Sequence, residues 1–150
     1  MARIEEEIKQ TSFRNEYVRA VINLLYTSNK LQQSHAAILK PYGITTPQFN
    51  ILRILKGQHP NPSTVNLLIE RMLDKSSNAS RIVDKLESKG LVERRQCKSD
   101  RRAVDVYISQ EGLDLLEKID LDVDHFQNEV RNLNEEESRQ LNQLLDKIRG

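Results

Sequence analysis

The sequence predicts a mainly α fold with one short β-hairpin, and three observations carry that prediction. Apolar residues recur three and four positions apart over most of the 150 residues, the spacing that puts one side of a helix against a core. Only two short segments, LVERRQ and AVDVYIS, alternate or favour β-branched residues as strands do. With 30% charged and 5% aromatic residues and a mean hydropathy of −0.63, the composition fits exposed helices better than a sandwich or barrel. Ile, Leu, Val and Phe number 43 of 150, about 29%, above the roughly 20% floor below which highly charged chains stay disordered. The length suits one domain, or one domain plus an oligomerisation arm.

Each element has its own local signal. Residues 16–40 carry Val18, Val21, Ile22, Leu25, Ile38 and Leu39 around a polar middle, which reads as a long helix of uneven amphipathicity ending near Pro41 to Gly43. In TTPQFNILRILKGQ, Thr46 can cap, Pro47 fits the first helical position, and Phe49, Ile51, Leu52, Ile54 and Leu55 make the helix apolar almost all round. It should be central and buried. After HPNPS, Ser63 or Thr64 starts a shorter helix through Val65, Leu67, Leu68, Ile69 and Met72. A tight connection at Leu73 to Lys75 leads into SSNASRIVDKLESKG. There Ala79, Ile82, Val83 and Leu86 share one face, and Gly90 supplies a left-handed stop. The two strands follow, separated by the charged tip CKSDRR, and are the only strands expected. Ser109 can cap the next helix, in which Leu116, Ile119, Val123, Phe126, Val130 and Leu133 form a coiled-coil-like seam. Asn134 with Glu137 makes a capping box for a last helix striped by Leu141, Leu144, Leu145 and Ile148.

Charge is distributed unevenly along this framework. The formal net charge is only +1, yet residues 1–70 carry +3, residues 71–103 carry +5, and residues 104–150 carry −7. A basic block over the second helix of a helix-turn-helix and the hairpin after it suits a polyanion; its plainer reading is a solvated Lys and Arg surface. A helix lying in the DNA major groove must bury one side on its own domain and offer short polar groups to base edges. Ser76, Ser77, Asn78 and Ser80 are placed in the first turns of that helix, with Arg81 and Lys85 further along it. At the hairpin tip, with Lys98 and Arg101 beside them, Asp100 lies two residues before Arg102, close enough to hold its guanidinium in one orientation for a narrow groove. Taken singly, these features also read as caps, solvated charges and a surface ion pair.

The stretch SNASRIVDKLESKGLVERRQCKSDRRAVDVYISQEG resembles the recognition helix, wing and following helix start of the MarR family of winged-helix transcriptional regulators. The resemblance runs from about Ile38 to the C-terminus, and KLESKGLVER followed by DRRAVDVYIS is its most specific part. It implies a winged helix-turn-helix lobe over about 44–108 within a single MarR-like domain, and helical dimerisation regions at about 10–42 and 109–150. It further implies an obligate homodimer with interlaced first and last helices, bound to double-stranded DNA at a pseudo-palindromic operator. Arg102 corresponds to the wing arginine, Asp100 to its orienting partner, and Ser76 to Arg81 to the groove-facing helix start. Most members repress, and are relieved by a small aromatic acid, an oxidant or a metal. A small aromatic ligand would lie near Tyr26, His35 and Phe49, residues that also read as core or interface. The redox-sensing branch keeps its Cys in the first helix, whereas Cys97 lies at the wing and reads as a passive strand residue.

No cofactor or metal is expected: His35, His59 and His125 are widely separated. The absence of GxSxG, P-loop and HExxH patterns argues against an enzyme. A single Cys excludes an internal disulfide and suits the reducing cytoplasm. MARIEEEIKQ reads as no targeting sequence, and no apolar run reaches membrane-spanning length. The competing reading is a protein-interaction winged-helix or coiled-coil module that binds no DNA.

Overall fold

The computed structural model describes residues 1–121 and 128–150. Its elements run α1 (Ile4–Glu7), α2 (Glu16–Leu39), a 3-10 turn (Lys40–Tyr42), α3 (Thr46–Gln58), β1 (Ser63–Thr64), α4 (Val65–Arg71), α5 (Ala79–Ser88), β2 (Val92–Gln96), β3 (Val104–Ile108), α6 (Gln110–Leu121) and α7 (Glu135–Arg149). The chain divides into two compact units, residues 1–46 and 47–150.

In the first unit, α2 begins where the Asn15 side chain accepts the Val18 N–H at 2.9 Å, satisfying one of the free donors of a helix start. Its 24 residues leave Tyr17, Val21 and Leu25 at 84%, 57% and 64% exposure. The short α1 lies beside it through an Arg19–Glu5 ion pair at 2.9 Å and a Tyr26 hydroxyl donating to Glu7 at 2.6 Å. Gly43, at φ +70°, turns the chain out of the helix in the left-handed region that glycine occupies without steric cost.

In the second unit, α3 buries Gln48, Ile51, Leu52, Ile54 and Leu55, while Phe49 is half-buried and Arg53, Lys56 and Gly57 are exposed, so the helix is buried on one broad side rather than almost all round. Thr46 is the first helical residue rather than the cap, and the helix runs through Gly57 to Gln58. Thr64 caps α4, its hydroxyl accepting the Leu67 N–H at 3.2 Å. The hairpin forms where expected, with Val92 opposite Ile108 and Gln96 opposite Val104. Leu68, Val83, Leu86, Val92, Val106, Leu116 and Ile119 are fully buried, each contributing roughly 1.5–3 kcal/mol.

Two expectations need correction. The sheet has three strands, ordered β1-β3-β2, because Ser63 and Thr64 pair with Val106 and Asp105 before α4 begins. A two-residue strand has too little length to show alternation. The seam also divides: Leu116 and Ile119 are buried within the chain, while Val130 and Leu133 stay exposed at 43% and 37%. Leu116 and Ile119 are therefore already covered and offer no free coiled-coil face. Val123, Phe126 and His125 lie outside the described residues.

The junction between hairpin and α6 is tight. Ser109 Oγ donates to the Gly90 carbonyl at 2.6 Å and accepts the Gly112 N–H at 3.0 Å, so the predicted cap is present and also ties α6 to the end of α5. Gly90 sits at φ +72° as the left-handed stop. A Cβ on Gly112 would stand 2.4 Å from the Leu91 carbonyl oxygen and 2.7 Å from Ile108 Cγ1. The capping box on α7 closes in both directions, Asn134 to Glu137 N–H at 2.9 Å and Glu137 to Asn134 N–H at 2.8 Å. Leu141, Leu144 and Ile148 are nevertheless 40–68% exposed.

Candidate nucleic-acid interface

α5 is built to present one side outward. At about 100° per residue, Ala79, Val83 and Leu86 form a buried stripe. Ser80, Asp84 and Glu87 form a second stripe about 100° round, and Arg81, Lys85 and Ser88 a third, all exposed. Asn78 caps the helix, its Oδ1 accepting the Arg81 N–H at 3.1 Å. That oxygen is engaged with the chain's own backbone.

Ser76 and Ser77 are not in the helix, which corrects the sequence-based placement. They belong to the preceding turn, wrapped on Asp74. Asp74 Oδ1 accepts from the Ser76 hydroxyl at 2.6 Å and its N–H at 2.9 Å, and Oδ2 accepts from the Ser77 hydroxyl at 3.0 Å. The Ser76 hydroxyl, with these other donors, holds the Asp74 carboxyl below its ordinary range. An Asp at this spacing gives the backbone a turn in place of a helix start. The turn is pinned to its surroundings as well: Asn50 of α3 accepts the Leu73 N–H at 2.9 Å, and Lys75 Nζ donates to the Ile69 and Glu70 carbonyls at the end of α4.

The wing separates its basic residues into two groups. Arg95 stacks on Tyr107 at 4.8 Å and pairs with Glu93 at 2.8 Å, while Arg94 reaches back to Asp84 and Glu87 of α5. These charges are engaged internally. Arg81, Lys85, Lys98, Arg101 and Arg102 are exposed and carry no ion pair among the described residues. They cluster on the third stripe of α5 and at the hairpin tip.

At the tip, Cys97 N–H donates to the Ala103 carbonyl at 3.1 Å, Ala103 N–H to the Asp100 carbonyl at 3.1 Å, and Gln96 Nε2 to the Arg101 carbonyl at 3.0 Å. Asp100 Oδ1 accepts the backbone N–H of Arg102 at 2.9 Å, the short-range bond of an Asx turn. This revises the expected contact: Asp100 sets the backbone from which Arg102 projects and makes no ion pair with its guanidinium. Arg102 and Asp100 line a groove of about 400 Å³ shared with Thr64, Val65 and Asn66. Cys97 is half-buried; its thiol is pulled below the ordinary range chiefly by the Ser99 hydroxyl at 3.1 Å, then by backbone N–H groups.

The residues expected near a ligand lie on two helices. Tyr26 and His35 lie nine positions apart on α2, about 14 Å along the helix axis, and Phe49 is half-buried on α3. The Tyr26 hydroxyl is occupied by Glu7, which raises its pKa. Among the described residues no group of three His, Cys, Asp or Glu could hold a metal ion, and no described helix is long and apolar enough to cross a membrane. Sequence reading missed the roles of Asp74, Asn50 and Arg94. A signal was present only for Asp74, whose spacing to Ser76 and Ser77 is a turn pattern.

The chain is similar in sequence and fold to known proteins. Residues 44–104 match the sequence model described as the MarR family. The transcriptional repressor MprA of Escherichia coli is 28% identical over 121 residues, covering 77% of this chain and 69% of that protein. Among solved structures, a MarR variant from E. coli complexed with operator DNA superposes with a TM-score of 0.78 at 26% identity, covering 92% of this chain and 99% of the other. The S. aureus MepR–DNA complex gives 0.75 at 25% identity, with 91% and 97% covered.

Proposed function

We propose that this chain is a member of the MarR family of winged-helix transcriptional regulators, which its similarity to that family supports, and that it acts as a homodimeric, sequence-specific DNA-binding regulator that represses a nearby promoter. The observation that carries this reading is the set of exposed cations, without an ion pair among the described residues, on one stripe of α5 and at the wing tip. Relatives described as complexed with DNA, one of them with operator DNA, share the fold.

In this reading α5 enters the major groove with Arg81 and Lys85 toward the duplex, and the wing sets Lys98, Arg101 and Arg102 against the neighbouring backbone or minor groove. Asn78 and Asp100 act as positioning residues, the first through the helix start and the second through the tip backbone. Ser76 and Ser77 offer their turn at the same edge, with hydroxyls already committed to Asp74. Ser80 projects from the stripe next to Arg81.

One lobe reads one half-site, so a pseudo-palindrome needs two. The exposed apolar residues of α2 (Val21, Leu25) and α7 (Leu141, Leu144, Ile148) support a second copy as the partner. We assign the winged-helix lobe to about 44–108 and the dimerisation helices to about 10–42 and 109–150. Two α5 helices about 34–36 Å apart would read half-sites 10–10.5 base pairs apart. An effector such as a small aromatic acid acts only by its differential affinity for a dimer with another spacing. The protein is placed in the cytoplasm and assigned no catalysis.

Gel-shift titration against the DNA upstream of the protein's own gene tests the reading. A complex whose affinity falls steeply between about 50 and 200 mM salt is expected, because bound phosphates release their counterions. An absent or salt-insensitive complex would favour the protein-interaction module.

A further inference from the structure

The second stripe of α5 lies between the buried stripe and the one turned to the proposed duplex. Ser80, Asp84 and Glu87 recur at i, i+4 and i+7, so they lie above one another on one side of the helix. All three are engaged by one residue of β2. The Arg94 guanidinium pairs with the Asp84 carboxylate and donates to the Ser80 carbonyl at 3.4 Å. Its Nε lies 3.9 Å from Glu87 Oε2, and that same oxygen accepts the Arg94 backbone N–H at 3.1 Å. A planar guanidinium presents donors in a rigid fork, so one side chain spans about two turns of helix and fixes its rotation and tilt against the strand.

We propose that Arg94 is a positioning residue for sequence recognition: by clamping Ser80, Asp84 and Glu87 it sets the angle between α5 and the wing, and so determines how sharply the protein discriminates between DNA sequences, without touching DNA itself. The inference rests on the DNA-binding reading above. Its force comes from leverage. α5 has 10 residues, about 15 Å, so a tilt of about 10° displaces its far end by about 2.6 Å. Bidentate readout of a base edge needs placement within about 0.5 Å and 10–20°. Phosphate contacts through long Lys and Arg side chains tolerate more, so lost alignment should affect specific binding more than non-specific binding.

The acidic partners make the idea separable from simple charge. Asp84 and Glu87 are negative groups on the helix that meets a polyanion, and neutralising either should tighten binding to every duplex if net field alone matters. If alignment matters, the same change loosens binding to the preferred sequence.

The experiment compares full-length wild type with Arg94→Met and Asp84→Asn on two probes. One is the tightest duplex that the wild-type protein selects from a random-sequence pool, the other a scrambled duplex of equal length and composition. Both variants are expected to lower the ratio of selected to scrambled affinity about tenfold, with the slope of log affinity against log salt unchanged for Arg94→Met. A ratio lowered less than about threefold by both variants overturns the proposal. So does a loss shared equally by both duplexes with a slope shallower by about 0.9 per protomer, which would make Arg94 a phosphate contact. Should Arg94→Met fail to fold, as a collapsed thermal transition would show, Asp84→Asn alone decides: higher affinity for both duplexes overturns the clamp. A pool from which wild type enriches nothing instead removes the DNA-binding reading, and this inference with it.

Discussion

Replacing Arg102 with alanine should change how DNA binding responds to salt, and by a calculable amount. The Arg102 guanidinium is exposed at the wing tip with no acidic partner among the described residues, since Asp100 is spent on the Arg102 backbone N–H. Its charge is therefore free to neutralise a phosphate. Each neutralised phosphate adds about 0.9 to the slope of log affinity against log salt, and a homodimer carries two such arginines, so the variant's slope should be shallower by about 1.8. Between about 50 and 200 mM salt, a fourfold change, the affinity advantage of wild type over variant then shrinks about twelvefold. Anisotropy titrations of a labelled operator duplex at several salt concentrations measure both lines. Parallel lines would refute the phosphate assignment, and coincident lines would remove the wing tip from the interface.

Two further outcomes test the supporting structure. Gly112→Ala should destabilise the protein by about 2–4 kcal/mol, because overpacking and the displaced buried bonds of Leu91 and Ser109 outweigh the better helix propensity of alanine. At fixed protein concentration the urea midpoint should fall by about 1–2 M with unchanged slope, and a midpoint equal to wild type would mean that the close approach of α6 to Leu91 yields freely. Leu144→Asp should dissociate the dimer while leaving the monomer folded, since Leu144 is 59% exposed within its own chain. A dimeric mass by light scattering, with circular dichroism unchanged, would exclude this face of α7 from the interface.

What could be read from sequence depended on how local its physical cause was. α2, α3, α5, the hairpin and the caps at Thr64, Ser109 and Asn134 each follow from periodicity or from a polar residue a fixed distance ahead of a helix. β1 was hidden because its partner strand lies more than forty residues away and Ser63–Thr64 has no pattern of its own. Ser76 and Ser77 were misplaced because the short hydrogen-bonding side chains that favour a helix start also build the turn before it, and Asp74 decides between the two. The Asp100–Arg102 spacing correctly located a contact, but not which atoms of Arg102 make it. The basic block marks out the region of the candidate site. The division between engaged and free cations required the positions of Asp84, Glu87 and Glu93 in space.

Thr64 belongs to two elements at once, pairing with Asp105 in the sheet while its hydroxyl caps α4. Among the described residues, the backbone of 97–103, by contrast, is hydrogen-bonded to that same segment and to the adjoining strand end. Variation in reach should therefore accumulate at the far end of the hairpin, where added or deleted residues leave the helices undisturbed, whereas a single insertion at 61–64 would dislodge a strand pair and a helix start together. A designer seeking to retune the footprint of this protein would lengthen the finger and leave its knuckle alone.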